Sequence, residues 1–312
     1  MEILQAVVPV FLVIGIGAAA RRYRFLDDPF VDSANALVYY LLLPALLFHK
    51  IGTSDFRQAF SAPLVLGGYL ATGAAFLLAF VLSRGMRMTP GERGAFVQGS
   101  FRANLAYVGL PIVFAYVGEE GLRKAGILLG FMVPLLNALA VVALVVPHGE
   151  GKGRGRENAL RILRQLATNP LILSSFAGIL WSLFRLPLPA LVGNTLAILS
   201  AATLPLSLLC LGGSFTFGRA RAGLRLSALA AFVKTVLLAA VGIAAYRWLG
   251  VSGDELRVGA IMTGCPTAVI TYVMASQMRG DAALAGSIVV LSTAASAATI
   301  SGWLHVLNVM GW

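Results

Sequence analysis

Long apolar runs alternate with short polar breaks along the whole chain. Stretches long enough to cross a bilayer, or nearly so, run at approximately 4–20, 33–51, 62–83, 95–117, 122–146, 169–184, 189–212, 224–248, 256–277 and 282–308. A spanning helix needs roughly 20 apolar residues. The pattern therefore predicts ten transmembrane helices joined by connections of about ten residues each, with no room for a separate soluble domain. The predicted fold class is all-α and integral to the membrane.

Composition supports this class. The chain is 58% hydrophobic and 12% charged, with a mean hydropathy of +0.85, whereas a soluble domain carries about 25% charged residues. So little charge cannot cover a water-facing surface, which excludes a soluble enzyme or a disordered regulator. The net charge of +11 would point to nucleic acid in a soluble protein. Here it reads as topology, with no nucleic-acid partner. Assigned to alternate sides, the odd-numbered loops hold 15 Lys or Arg and the even-numbered loops and C-terminal end hold 7. By the positive-inside rule the first set is cytoplasmic. This predicts a multi-pass protein of the cell inner (plasma) membrane with both termini outside. Glu2 precedes the first apolar run while Arg21, Arg22 and Arg24 follow it, a polarity reversed for a cleaved signal.

All 13 acidic residues fall in loops, at ends or at helix edges, whereas Arg102 and Lys234 fall inside spanning segments. Proton and sodium carriers commonly place Asp or Glu in the membrane interior, and no such residue is expected here. Cys210 and Cys265, and likewise His49, His148 and His305, lack the spacing of a disulfide framework or a zinc site. Gly15, Gly17 and Ala20 mimic a dinucleotide fingerprint, but no strand precedes them. With no phosphate loop and no Ser–His–Asp grouping, neither a cofactor nor enzymatic activity is predicted.

The Gly-rich basic stretch holding Lys152, Arg154 and Arg156 divides the chain into a five-helix repeat at 1–149, a cytoplasmic linker at 150–160 and a second repeat at 161–312. Leu160, Leu163 and Leu166 beyond it fit either an interfacial helix or an extension of the sixth span. An odd number of spans per half makes the second repeat inverted. Echoes accompany the count: Leu43–Pro44 with Leu204–Pro205, and Gly109, Leu110, Pro111 in the fourth segment with Gly264, Cys265, Pro266 in the ninth. Matching Gly and Pro breaks point to a transporter site near the midplane. Proline suits the first turn of a helix and glycine the unwound backbone before it. A half-helix starting at such a break turns free amides, beginning at Leu110 and Cys265, and the positive end of its dipole toward a ligand. Arg102 and Lys234 tip the balance toward an anion. The alternatives are that each proline is a mere kink, that Arg102 snorkels to headgroups, that Lys234 caps a helix carbonyl end, and that Asn104 is interhelical glue instead of a ligand contact.

At these residues the sequence resembles the auxin efflux carrier family, which includes the plant auxin carriers and bacterial malonate or malate carriers. The resemblance is carried by Asn104 and Pro111 within the run from Arg102, by Leu43 to Leu47, by Asn169 and Pro170, by Lys234, and by Pro266, Thr267, Ala268 through Tyr272 to Ala275. It implies ten helices as inverted repeats with crossed, broken helices 4 and 9, similar to bile acid symporters. It also implies elevator-like alternating access, small organic anions as substrates, a homodimeric assembly, Asn104 as a substrate contact, and Pro111 and Pro266 as the crossover prolines. The runner-up reading is a sodium- or proton-coupled carrier using Thr263, Ser292 and Thr293; a membrane enzyme or sensor is a third. The topology has a direct test. In a background without other cysteines, Gly153→Cys is expected to react with impermeant thiol reagents only from the cytoplasmic side, and labelling from outside intact cells would invert the orientation.

Overall fold

The computed structural model describes residues 2–148, 163–164, 167–215 and 223–312. The expected linker at 150–160 lies outside them, as do Leu160 and Leu166. In chain order the helices are α1 (Glu2–Arg22), α2 (Asp28–Leu37), α3 (Leu43–Gly52), α4 (Phe56–Ala59), α5 (Ala62–Gly85), α6 (Pro90–Phe101), α7 (Leu110–Val117) and α8 (Glu119–Val145). Then follow α9 (Pro170–Leu183), α10 (Ala190–Gly213), α11 (Leu224–Phe232), α12 (Leu238–Trp248), α13 (Gly253–Gly264), α14 (Ile270–Gln277) and α15 (Ala282–Val309). Among the described residues there is no β-strand, and one isolated antiparallel bridge joins Ala103 to Thr267.

Seven helical runs among the described residues are long and apolar enough to cross a membrane: Glu2–Arg22, Asp28–Gly52, Ala62–Gly85, Glu119–His148, Ala190–Gly213, Leu224–Trp248 and Ala282–Val309. The other three expected segments are the 14-residue helix α9 and two interrupted helices, α6 with α7 and α13 with α14. Large apolar side chains face outward on these runs, with Leu12 and Leu77 each 61% exposed and Ile198 73% exposed. Apolar surface on this scale needs lipid, and helices meet lipid with their backbone groups already paired. The chain is an integral, multi-pass membrane protein.

The acidic residues sit at helix edges because several of them cap helices. Asp27 accepts the amide of Phe30, Asp55 that of Arg57 and Asp281 that of Leu284, and Thr89 with Glu92 forms a reciprocal capping box. A carboxylate there satisfies an orphan amide and meets the positive end of the helix dipole.

The chain forms two compact units, each drawn from both halves of the sequence. The first comprises Met1–Ala62, Ala106–Val133 and Ala167–Phe215; the second comprises Pro63–Leu105, Pro134–Leu166 and Thr216–Trp312. Within the first, α1 meets α10 backbone to backbone. A Cβ at Gly17 would lie 2.3 Å from the Leu209 carbonyl oxygen, and one at Gly212 would lie 2.0 Å from that of Ile14. Pro44 has no amide hydrogen to close an α-turn, and the helix before it widens into a π-turn over Val38–Leu42. The Leu42 carbonyl at that turn accepts the hydroxyl of Thr203, 3.0 Å away.

Leu42 and Thr203 are 161 residues apart, and the same spacing relates two helix ends. After α1, Arg24 has a positive φ of 59°, and the Phe25 amide bonds to the Ala20 carbonyl. After α9, Arg185 has a positive φ of 50°, and the Leu186 amide bonds to the Trp181 carbonyl. Both are Schellman ends with arginine in the left-handed position that glycine usually fills.

Within the second unit the ring of Tyr246 on α12 is fully buried. It fills spaces that side chains would otherwise occupy: a Cβ at Gly67 of α5 would lie 2.2 Å from it, and one at Gly259 of α13 would lie 2.6 Å away. Close approach through glycine is a common device of membrane helices. Gly212→Ala is expected to destabilise the fold by about 1–3 kcal/mol through overpacking, read as a lower thermal midpoint in detergent. Gly15→Ala, with nothing within 4 Å of the added Cβ, should unfold like the parent. Equal midpoints for all three proteins would show that the α1–α10 contact is not made.

Candidate functional site

Two helices break in the second unit, and the breaks meet. α6 stops at Phe101, where Arg102 turns extended with ψ 96°, and α13 stops at Gly264, where Cys265 turns extended with ψ 148°. Each break releases backbone groups that the lipid interior cannot satisfy. The two extended stretches satisfy one another: the Asn104 amide donates to the Pro266 carbonyl at 2.8 Å and the Ala268 amide donates to the Arg102 carbonyl at 2.9 Å, on either side of the Ala103–Thr267 bridge.

The position of the first break differs from the expectation at Gly109, Leu110 and Pro111. Those residues are helical and buried and belong to the first unit; the extended stretch lies earlier, at Arg102 to Asn104. Pro111 sits in the first turn of α7, directly after a π-helical turn over Leu105–Gly109. Its missing amide widens the preceding turn without ending the helix. The amides left over at this helix start therefore belong to the turn beginning at Leu105, not at Leu110. In the ninth segment the break falls at the expected residues but the new helix does not: Gly264 ends α13, Cys265 and Pro266 lie buried outside any helix, and α14 begins only at Ile270. Pro266 is therefore not a first-turn proline, and the free amides of that helix start at Ile270 and not at Cys265.

Two cations lie within the same unit. Lys234 is fully buried in a π-turn over Val233–Leu237, and its Nζ donates to the Thr263 carbonyl at 2.7 Å, next to the end of α13. A cation at a helix carbonyl end meets the negative pole of the dipole. Arg102 is 6% exposed, so it does not snorkel to the headgroups; its guanidinium donates to Asn137 Oδ1 at 2.6 Å and to the Leu136 carbonyl at 3.4 Å. Among the described residues these two are the buried charged side chains, and no carboxylate is buried with them. The structure thus brings Arg102, Asn104, Lys234, Gly264, Cys265 and Pro266 into one compact unit and leaves Gly109, Leu110 and Pro111 in the other.

Two contributors escaped the sequence reading of the site. Asn137 is a lone amide within an apolar run, and that polarity was its signal. Thr267 lies among the residues that carry the family resemblance, but its contacts could not be read there. The three hydroxyls of the cation-coupled reading are engaged locally: Thr263 donates to Gly259, and Ser292 and Thr293 both donate to Val289. No group of three or more His, Cys, Asp or Glu suited to a metal occurs among the described residues.

Comparison with known proteins gives a consistent picture. A family model described as membrane transport protein matches residues 2–304. The chain is 23% identical over 312 residues to an uncharacterised transporter of Methanocaldococcus jannaschii, covering 97% of this chain and 98% of the relative. It is 24% identical over 313 residues to a Rhizobium meliloti protein provisionally named a malonate transporter, covering 98% of this chain and 96% of the relative. Auxin efflux carrier component 1 of Arabidopsis thaliana is 31% identical over 124 residues, which is 38% of this chain and 20% of the plant protein.

Removing the Asn137 amide takes away the acceptor that the buried Arg102 guanidinium meets at 2.6 Å. Asn137→Ala is expected to lower stability by about 1–3 kcal/mol, read as a lower thermal midpoint, whereas Asn137→Asp should hold or raise it by supplying a counter-charge. A parental midpoint for Asn137→Ala would mean that the contact contributes nothing to stability.

Proposed function

The chain belongs to the auxin efflux carrier family of membrane transport proteins, and from that premise we propose that it carries small organic anions, carboxylates of the malonate type, by elevator-like alternating access. The observation that carries the substrate class is Lys234, fully buried in the second unit with its Nζ on the neutral Thr263 carbonyl and with no buried carboxylate among the described residues. A buried charge without a counter-charge costs several kcal/mol even after relaxation. An anion bound at the crossing offsets that cost and a cation raises it. The ammonium on the Thr263 carbonyl also opposes sodium at that oxygen. The similarity to a protein named for malonate transport supports a carboxylate.

In this reading Asn104 contacts the substrate, the first-turn amides of the segment starting at Ile270 supply partial positive charge, and Lys234 and Arg102 supply compensating charge. The halves act as inverted repeats about the crossing. Support comes from the Schellman ends at Arg24 and Arg185 and from the Leu42–Thr203 contact, all at one spacing. The excess of basic residues in the odd-numbered loops supports an orientation with both termini outside.

The test is uptake of radiolabelled malonate into proteoliposomes, with and without imposed sodium and proton gradients. Asn104→Ala is expected to raise KM about tenfold, the equivalent of about 1.4 kcal/mol. Lys234→Gln, which keeps a donor for the Thr263 carbonyl and removes the charge, should lower uptake by a similar factor. If Lys234→Gln and Lys234→Met both carry malonate like the parent, the electrostatic role is wrong. If the parent prefers amines or inorganic cations to acids, the anion assignment fails.

A further inference from the structure

The hydrogen bonds at the crossing converge on one side chain outside the candidate set. Thr267 is fully buried and faces Ala103 in the bridge. Its hydroxyl donates to the Gly99 carbonyl at 2.7 Å. Gly99 is in the last turn of α6, where the α-helical partner of its carbonyl would be the amide of Ala103, and that residue has already left the helix. The Thr267 hydroxyl therefore satisfies a carbonyl that the break orphaned. The Thr267 amide, itself displaced from helical pairing, donates to Ser292 Oγ of α15 at 3.0 Å, and the Ser292 hydroxyl in turn donates to the Val289 carbonyl at 3.2 Å. Ser292 is also fully buried. One residue thus ties the end of α6, the second extended stretch and the middle of α15 together, and the neighbouring Pro266 carbonyl holds the backbone of Asn104.

We propose that Thr267 and Ser292 form a positioning latch: they fix the register of the two extended stretches, and so set where the Asn104 side chain is presented to substrate, without touching substrate themselves. The inference rests on the transport reading for its consequence and on geometry alone for its existence. It assigns Ser292 to positioning, because its hydroxyl accepts the Thr267 amide and donates to the Val289 carbonyl.

The latch is tested by two readouts on the full-length protein. Thr267→Val keeps the shape and removes the hydroxyl; Ser292→Ala removes the acceptor on the other side; Thr267→Ser keeps the hydrogen bond and is the rescue control. Amide hydrogen exchange of the peptides holding Asn104 and Ala268 should be at least tenfold faster in the first two variants and parental in Thr267→Ser. In proteoliposomes, KM for malonate should rise about tenfold in Thr267→Val and Ser292→Ala, with maximal rate per folded protein within twofold of the parent, and return in Thr267→Ser. Parental exchange in Thr267→Val and Ser292→Ala overturns the latch. Faster exchange with parental KM, or a fall in maximal rate alone, overturns its positioning role. If Thr267→Val fails to fold, Ser292→Ala decides by the same two readouts. If the parent carries no malonate, the dicarboxylate reading fails while hydrogen exchange still decides whether the latch exists.

Discussion

Backbone amides and carbonyls have no water to turn to inside a bilayer, and the crossing in the second unit is built around that constraint. A helix satisfies these groups by itself, so breaking one exposes several at once. Breaking two at the same place lets each supply the other's partners, as Asn104 with Pro266 and Ala268 with Arg102 do here. What the bridge leaves over is taken up by side chains: the Thr267 hydroxyl for Gly99, the Lys234 ammonium for Thr263, and the Ser292 hydroxyl for the Thr267 amide. Unwound backbone in the membrane interior is tolerable only where protein encloses it in this manner.

The same constraint explains where charge can sit. Carboxylates are used at helix starts, as at Asp27, Asp55 and Asp281, where orphan amides already wait for an acceptor. The two buried cations each have a specific electronegative partner, a carbonyl at the end of α13 for Lys234 and the Asn137 amide oxygen for Arg102. Those partners are dipoles and not charges. For Lys234 no buried carboxylate among the described residues cancels the charge, which is the physical basis for the proposed anion site.

Much of this was legible in the sequence, and the exceptions have identifiable causes. Periodicity and length located the helices, and the absence of interior carboxylates could be counted directly. The break at Gly264 to Pro266 was readable because glycine and proline act on their own backbone. The break in the fourth segment was displaced toward Asn104 because a proline removes a hydrogen bond without dictating whether the helix widens or stops. Asn137 and Thr267 could not be assigned roles, since their partners lie 35 and 168 residues away in the chain. Local pattern carries no information about such pairings. The left-handed arginines at 24 and 185 were unreadable for a related reason, as glycine, the usual signature of that conformation, is absent there.

The Tyr246 ring lodged against Gly67 and Gly259 bears on how the second unit comes apart. A single rigid group shared by α5, α12 and α13 makes each helix's packing conditional on the presence of the other two. None of them can leave without opening a void around the ring, and a void of that size forfeits dispersion contacts on every side. Unfolding of these three helices is therefore cooperative even though α5 is far from α12 and α13 in the chain, and α13, whose end forms half of the crossing, draws its rigidity from a ring on α12 and the close approach of α5.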